Sequence, residues 1–351
     1  MSADQAQLSL VTVMITARDR PEELRQTLRL LRQQSYPHVE LLVFDDASAL
    51  PLDAMVQQEW PDAKVVRNNE SNGYIANRSR GFVLASGEFI LSLDDDSCLT
   101  APDDLLHAVE FMQSNPSAGV LAFQVHNGKD FVRRVDPKGV RPLHTFTGCA
   151  HLVRKAVCNK IGGYRNFYEY YAEENEYALR VMDAGWQILF VPSIHVHHRV
   201  SSIGRNLARI WAHSLRNNIW TILIHIPARR LPLELGWKTF VGAMEAARLL
   251  QIRWFCWAIG SAIASAPKAL RERRPVSAET LRLYDCLRFG LDPKDGRISV
   301  AQAVQWWRRN WLRRRRAKAF WNAGGEGIGG SSTATFSEVE VSGAAGRDQA
   351  R

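Results

Sequence analysis

The chain has 351 residues, 46% of them hydrophobic, which excludes a disordered protein and suits one large domain with an appendage. Its formal net charge is +9, unevenly spread: residues 1–198 hold 19 Lys and Arg against 25 Asp and Glu, whereas residues 199–322 hold 24 against 7 and nine of the 11 Trp. Five scattered cysteines with no CxxC pair argue against a disulfide framework or zinc site and fit a reducing compartment, and the polar start Met1 to Leu8 shows no secretory leader.

The first half alternates strand and helix signals. Leu10 to Thr16 is an apolar, β-branched run. Pro21-Glu22-Glu23 opens a helix to about Ser35, with Leu24, Leu28 and Leu31 on one face. Val39 to Phe44 is a second strand, ending in Asp45-Asp46-Ala47-Ser48; a weaker helix covers Asp53 to Trp60; Ala63 to Arg67 is a third strand. Asn72-Gly73 begins a helix to Ala85, and Glu88 to Leu93 is a fourth strand. This repetition predicts an α/β fold with a mainly parallel sheet flanked by helices, whose ligands bind beyond the carboxyl ends of the strands.

The fourth strand runs directly into Asp94-Asp95-Asp96. Three adjacent carboxylates repel one another, and a divalent cation at the end of a buried strand would relieve that. Side chains alternate along extended backbone, so Asp94 and Asp96 face one way and Asp95 the other. Two carboxylates with open positions beside them suit Mg²⁺ or Mn²⁺ shared with phosphate oxygens.

From Asp103 the pattern changes. A helix runs to about Ser114, Ala118 to His126 is a strand, and Asn127-Gly128 reads as a hairpin turn. Thr147-Gly148-Cys149 leads into a short strand, Gly162-Gly163 is a loop, and Glu173 to Ala184 is a helix closed by Gly185. Trp186 to Val191 is a strand stopped by Pro192, followed by His195, His197 and His198. A long helix from Ile203 to Ile226 begins a C-terminal helical region reaching Phe320. The expected organisation is a catalytic domain over 1–200, a basic Trp-rich helical region over 201–322 and a disordered tail over 323–351.

Four segments carry a resemblance. VTVMITARDRPEELRQTL, LLVFDDAS, NGYIANRSRGFVLASGEFILSLDDDS and GGYRNFYEYYAEENEYALRVMDAGW together resemble a family 2 glycosyltransferase of GT-A fold, in order and spacing, over about residues 9–200. The resemblance implies that Thr16 and Asp45 or Asp46 contact the nucleobase or ribose. It puts Arg78 near the donor pyrophosphate, with Arg18 and Asp95 among the donor-binding residues, and Asp94 and Asp96 on nucleotide and metal. Glu174 matches the Asp of the family's ED pair, the catalytic base. Two departures stand out: the pair here is Glu173-Glu174, one methylene longer at the base, and Ser79 stands where many members have Asn. Which of Glu173, Glu174 and Glu176 takes the proton stays open. A His after the last strand, His197 or His198 first, is expected on the metal or phosphate.

The implied reaction is inverting, metal-dependent transfer of a hexosyl or deoxyhexosyl unit. The donor is a nucleotide-diphospho-sugar; the acceptor is a hydroxyl of a glycan or lipid-linked molecule in cell-envelope or exopolysaccharide synthesis. Glu176 is expected on a solvated helix face, paired with Arg180. Between Ser201 and Phe320, Trp211, Trp220, Trp237, Trp254, Trp257 and Trp306-Trp307 interleave with Arg, closing on Arg313 to Arg316. The longest uncharged stretch there, Trp254 to Pro267, falls short of the ~20 residues that span a bilayer. That composition suits a cytoplasmic protein peripheral to an anionic membrane face, or a helical region packing its Trp on the core. No motif supports a nucleic-acid partner.

Three other functions compete. A sugar nucleotidyltransferase needs a Gly-rich phosphate loop, but Ala17-Arg18-Asp19-Arg20 stands there. A processive synthase needs QxxRW, and Gln305-Trp306-Trp307-Arg308-Arg309 departs from it. A non-catalytic nucleotide-sugar module would bind its nucleotide without metal.

Overall fold

The structure is a computed structural model describing residues 8–128, 130, 131, 136, 138–200 and 206–291. Its first half is β1 (Val11–Ala17), α1 (Pro21–Leu31), β2 (Val39–Asp45), α2 (Asp53–Glu59), β3 (Lys64–Arg67), α3 (Tyr74–Leu84) and β4 (Phe89–Asp94). The four strands pair in parallel in the order β3-β2-β1-β4. Strands of such a sheet are covered on both faces, which is why β1 and β4 read as nearly unbroken apolar runs. α1 stops at Leu31, short of Ser35, because Gln33 and Gln34 tighten the last turn by bonding back to Leu30 and Leu31.

There follow β5 (Ser97–Leu99), α4 (Asp104–Ser114), β6 (Ala118–Asn127), β7 (Arg141–Pro142), β8 (Ala150–Arg154), α5 (Lys155–Ile161), α6 (Glu173–Asp183) and β9 (Gln187–His198). The sheet continues β4-β8-β6-β9-β5, with β7 on another stretch of β9. β8 runs antiparallel to β4 and β6, whereas β6 and β9 are parallel.

Two local expectations are corrected. Asn127-Gly128 does not turn a hairpin: β6 pairs with the distant β8 and β9, and Asn127 stands opposite His198. Nor does Pro192 end the last strand. β9 continues through it, with a register slip between Phe123–Val191 and Gln124–His195. Proline has no N–H for the ladder, and a bulge is where a strand tolerates that loss. The slip carries His195, His197 and His198 into the strand itself.

Side chains alternate across β1, so Val13 and Ile15 enter one core with Leu24, Leu28 and Val56, while Met14 enters another with Phe44, Phe82 and Tyr177. The second core extends into the helices after residue 200. These are α7 (Leu207–His225), α8 (Leu231–Leu249), α9 (Ile252–Ala264), α10 (Ala266–Arg271) and α11 (Ala278–Phe289). Trp220, Ile224, Ala269 and Leu281 belong to it, so part of the basic region packs directly on the sheet-covering layer. Asn206 caps α7 by accepting from the Arg209 N–H. Among the described residues no helix is long and apolar enough to cross a membrane. The helices expected to Phe320, the Gln305–Arg309 stretch and the tail lie outside the described residues.

Candidate active site and metal centre

The strand order turns at β1. The chain adds β2 and β3 on one side and then crosses to place β4 on the other, which opens a crevice beyond the carboxyl ends of β1 and β4. The register sets Thr16 between Phe44 and Asp94. The tips of these strands therefore converge by topology alone.

Asp94, Asp96 and His198 meet at this crevice, with ligand atoms within 4.8 Å of one another. His198 Nε2 lies 3.2 Å from Asp96 Oδ1 and 3.9 Å from Asp94 Oδ2. Its Nδ1 lies 2.8 Å from Asn127 Oδ1, an acceptor, so Nδ1 carries a proton and Nε2 faces the carboxylates, open to a cation once its own proton leaves. Three electron-rich atoms aimed at one point suit a hard or borderline divalent cation. Burial works against a charged imidazole, yet Cys149 and Asp96 raise the His198 pKa to about 10, so the surroundings favour positive charge. The Asp94 side chain is 31% exposed and that of Asp96 only 2%, so the cluster opens on the Asp94 side.

Alternation separates the three histidines. His197 points to the opposite side, where its Nε2 meets the Gly128 carbonyl at 2.8 Å; the expectation that it shares the metal is corrected. His195 likewise turns away and bonds His126 at 2.8 Å. Asp95 is also corrected from a donor contact: it is wholly buried in a forked ion pair with Arg20, whose Nε donates to Oδ2 at 2.9 Å. Arg20 reaches Asp96 too, at 3.2 Å. Thr27 Oγ1 donates to the Asp95 carbonyl at 2.7 Å and Arg199 braces both, so the turn that aims Asp94 and Asp96 is held from beneath.

The acids after β2 are buried and already engaged. Asp45 accepts from the Ser48 and Leu52 N–H groups and from Arg67. Asp46 accepts from Ser71 Oγ, the Asn72 and Gly73 N–H groups and the amides of Asn68 and Asn77. It thereby anchors the loop leading into α3, whose N-terminus favours a negative charge. Gly73 takes φ +80° there. Burial would raise both acids, but these donors hold their pKa values below the usual carboxylate range. Arg18 is exposed at the rim, 3.6 Å from Asp19.

Arg78, buried on α3, joins the two halves of the site. It donates to Asp94 Oδ1, and its Nη1 lies 3.6 Å from Glu173 Oε1. Burial would lower its pKa, but Asp94 and Glu173 raise it, so the guanidinium stays charged. Glu173 and Glu174 open α6, both buried. Burial and the neighbouring Glu174 push Glu173 well above the usual range; burial raises Glu174 as well, although Arg78 and a hydrogen bond from Glu173 oppose it. Burial thus raises both carboxyls of the pair, and the Arg78 charge opposes that rise at each. Gly148 touches the latter: a methyl at its Cα would stand 2.1 Å from Glu174 Oε1 and 3.2 Å from Arg78 Nη1.

The segment leading into Glu173 is strained. Glu169, Tyr171 and Ala172 all take left-handed φ, +61°, +62° and +64°. Asn217 of α7 holds it, its amide donating to the carbonyls of Tyr168, Tyr170 and Tyr171 at 2.9, 2.9 and 2.6 Å, and Arg216 donates to Tyr168 at 2.9 Å. The Tyr74 hydroxyl accepts from the Tyr171 N–H and donates to Glu173. Sequence reasoning passed over Arg20, Asn127, Gly148, Arg216 and Asn217. Only the ARDRP turn carried a local signal, in its two arginines beside an acid; the others act across tens of residues.

Glu176 is not solvated. It is 1% exposed and accepts from Arg180, Arg165 and His225 at 2.7–2.8 Å. The expected Arg180 pair exists, but as part of a network around a buried carboxylate that also takes in Arg165 and His225.

Comparison with known proteins agrees with this architecture. Residues 12–174 match glycosyl transferase family 2. An uncharacterised glycosyltransferase of Bacillus subtilis, YwdF, is 24% identical over 211 residues, 56% of this chain and 76% of that protein. N-acetylglucosaminyl-diphospho-decaprenol L-rhamnosyltransferase of Mycobacterium tuberculosis is 32% identical over 122 residues, but the match spans only 34% of this chain and 38% of the relative. Among solved structures, mannosyltransferase PcManGT from Pyrobaculum calidifontis, in complex with GDP-Man and Mn²⁺, superposes with a TM-score of 0.52 at 16% identity, over 81% of this chain and 83% of that one. Residues 12–174 therefore form a glycosyl transferase family 2 domain in a GT-A fold, and the chain is a glycosyltransferase.

Proposed function

We propose that the protein transfers a sugar, with inversion, from a nucleotide-diphosphate donor to a hydroxyl of a glycan or lipid-linked acceptor. The observation that carries this reading is Arg78, which bridges the Asp94–Asp96–His198 cluster to the Glu173–Glu174 pair. The two groups of side chains suit the two ends of the reaction. Named relatives support the classes of molecule involved: one solved neighbour holds GDP-Man and Mn²⁺, and one relative is named for rhamnosyl transfer onto a diphospho-decaprenol.

Asp94, Asp96 and His198 would hold Mn²⁺ or Mg²⁺, which supplies positive charge to the diphosphate as it leaves. Arg78 adds a fixed charge beside that group and needs no reorganisation to do so. In this reading the nucleoside lies toward the ends of β1 and β2, at Thr16 and the loops that Asp45 and Asp46 anchor, with Arg18 at the rim. On the acceptor side Glu174 takes the hydroxyl proton. Burial raises its pKa, which makes it a better base than a solvated carboxylate, and the Arg78 charge favours its ionised form. Deprotonation of the acceptor by one carboxylate fits a single displacement, which inverts the anomeric centre.

Calorimetry with a nucleoside diphosphate tests the donor half: binding should require Mn²⁺ or Mg²⁺ and disappear in Asp96→Asn. Metal-independent binding would refute it. Once a donor is found, the anomeric configuration of the product, read by NMR, tests inversion.

A further inference from the structure

The outward side of α8 is apolar along its length. Leu233, Trp237, Phe240 and Met244 recur at intervals of four, three and four, so they share one face, and Leu233 is 72% exposed. The charged residues of α8 turn to its flanks, where Glu234 pairs with Arg230 and Glu245 accepts from Trp211. The helix then reverses into α9 at Leu250, which combines φ +55° with 87% exposure. A left-handed leucine held in water is unfavourable on both counts. Arg248 and the exposed Arg253 flank this tip, and the outward side of α9 adds Ile252, Cys256 and Ile263.

Charge decides what covers such a face. The described part of the basic region, residues 206–291, carries 13 Lys and Arg against 5 Asp and Glu. A second copy would set like charge against like, whereas an anionic bilayer complements both the apolar face and the arginines beside it. The face also adjoins the acceptor side of the site through a run of rings. Trp254 packs on Trp257 at 6.0 Å, Trp257 on His213 at 4.7 Å, His213 on Tyr170 at 5.4 Å and Tyr170 on Tyr74 at 6.1 Å, and Tyr74 bonds Glu173.

We propose that the α8–α9 hairpin rests on an anionic lipid bilayer with Leu250 inserted, so that the acceptor reaches Glu174 from the membrane side. Only the second clause rests on the transferase reading; the docking stands apart from it.

Cys256 lies on the proposed face, and the other four cysteines are buried, so the full chain can be labelled there with an environment-sensitive fluorophore. Vesicles of phosphatidylcholine with phosphatidylglycerol should shift the emission to the blue, neutral vesicles should not, and added salt should weaken the effect. Leu250→Asp combined with Phe240→Asp should bind vesicles about tenfold more weakly or worse, with metal-dependent nucleotide binding unchanged. Three outcomes would overturn the proposal: vesicle binding by the variant equal to that of the wild type; a blue shift without vesicles that rises with protein concentration, meaning a second copy; or a label already buried in the dilute protein alone, meaning that its own chain covers the face. Loss of nucleotide binding in the wild type would instead sink the transferase reading and leave the docking result intact.

Discussion

Gly148→Ala puts the assignment of Glu174 to a severe test with one methyl group. The added Cβ would stand 2.1 Å from Glu174 Oε1, and relief to an ordinary contact near 3.4 Å moves that oxygen by about 1.3 Å. The atom in the way is the far end of a flexible side chain, so folding should survive with a melting temperature within a few degrees of wild type. Catalysis should not, because a displacement of about 1 Å at a reacting group costs on the order of 10²-fold, near 2.7 kcal/mol of barrier. The assay compares turnover of the active nucleotide sugar with calorimetric affinity for the nucleoside diphosphate and Mn²⁺: the first should drop about a hundredfold and the second should hold. Shortening the base should then help. Gly148→Ala with Glu174→Asp withdraws the carboxylate by about one methylene and should recover part of the lost rate, a coupling that independent sites would not show. Wild-type turnover in Gly148→Ala would refute the placement of the base.

The remaining predictions are simpler. His198→Asn should weaken Mn²⁺ binding about 10- to 100-fold by calorimetry, whereas His197→Asn, on the other side of the strand, should leave it unchanged. Glu176→Gln strips a buried countercharge from the part-buried Arg165 and Arg180 and should lower unfolding stability by about 3 kcal/mol in urea, with activity falling only as the fold does. His151 is held neutral: burial, then the Arg78 charge, lowers its pKa to about 3. The unfolded imidazole takes a proton below about pH 6.5 while the folded one refuses it, so stability is lost as pH falls from 6.5 toward 3. That single group contributes a slope of up to about 1.4 kcal/mol per pH unit, and His151→Gln should flatten the urea midpoint over this range by that amount.

Much of the site could be read along the chain because its donor half is local. A strand ending in acids, read at period two, separates Asp94 and Asp96 from Asp95 before any tertiary contact is known, and the structure agrees. The β-α repetition likewise announces a parallel sheet, because runs buried on both faces cannot hide in the pattern. Reading failed where a partner is remote. Asn127 sets the proton on His198 from 71 residues away, and Asn217 holds the loop before Glu173 from a helix in the basic region. Pro192 misled because its missing N–H ends a regular strand but only kinks a bulged one.

Composition and periodicity by themselves determined the alternation of strands and helices, the acidic strand tips and the basic, Trp-rich second half, since each is a property of neighbouring residues. Only the tertiary structure decided which histidine faces the carboxylates, that Asp95 and Glu176 are buried ion-pair partners, and which tryptophans pack inside and which stay outside. Those outcomes depend on register across strands and on which face of a helix finds a neighbour, and neither is written in the order of adjacent residues.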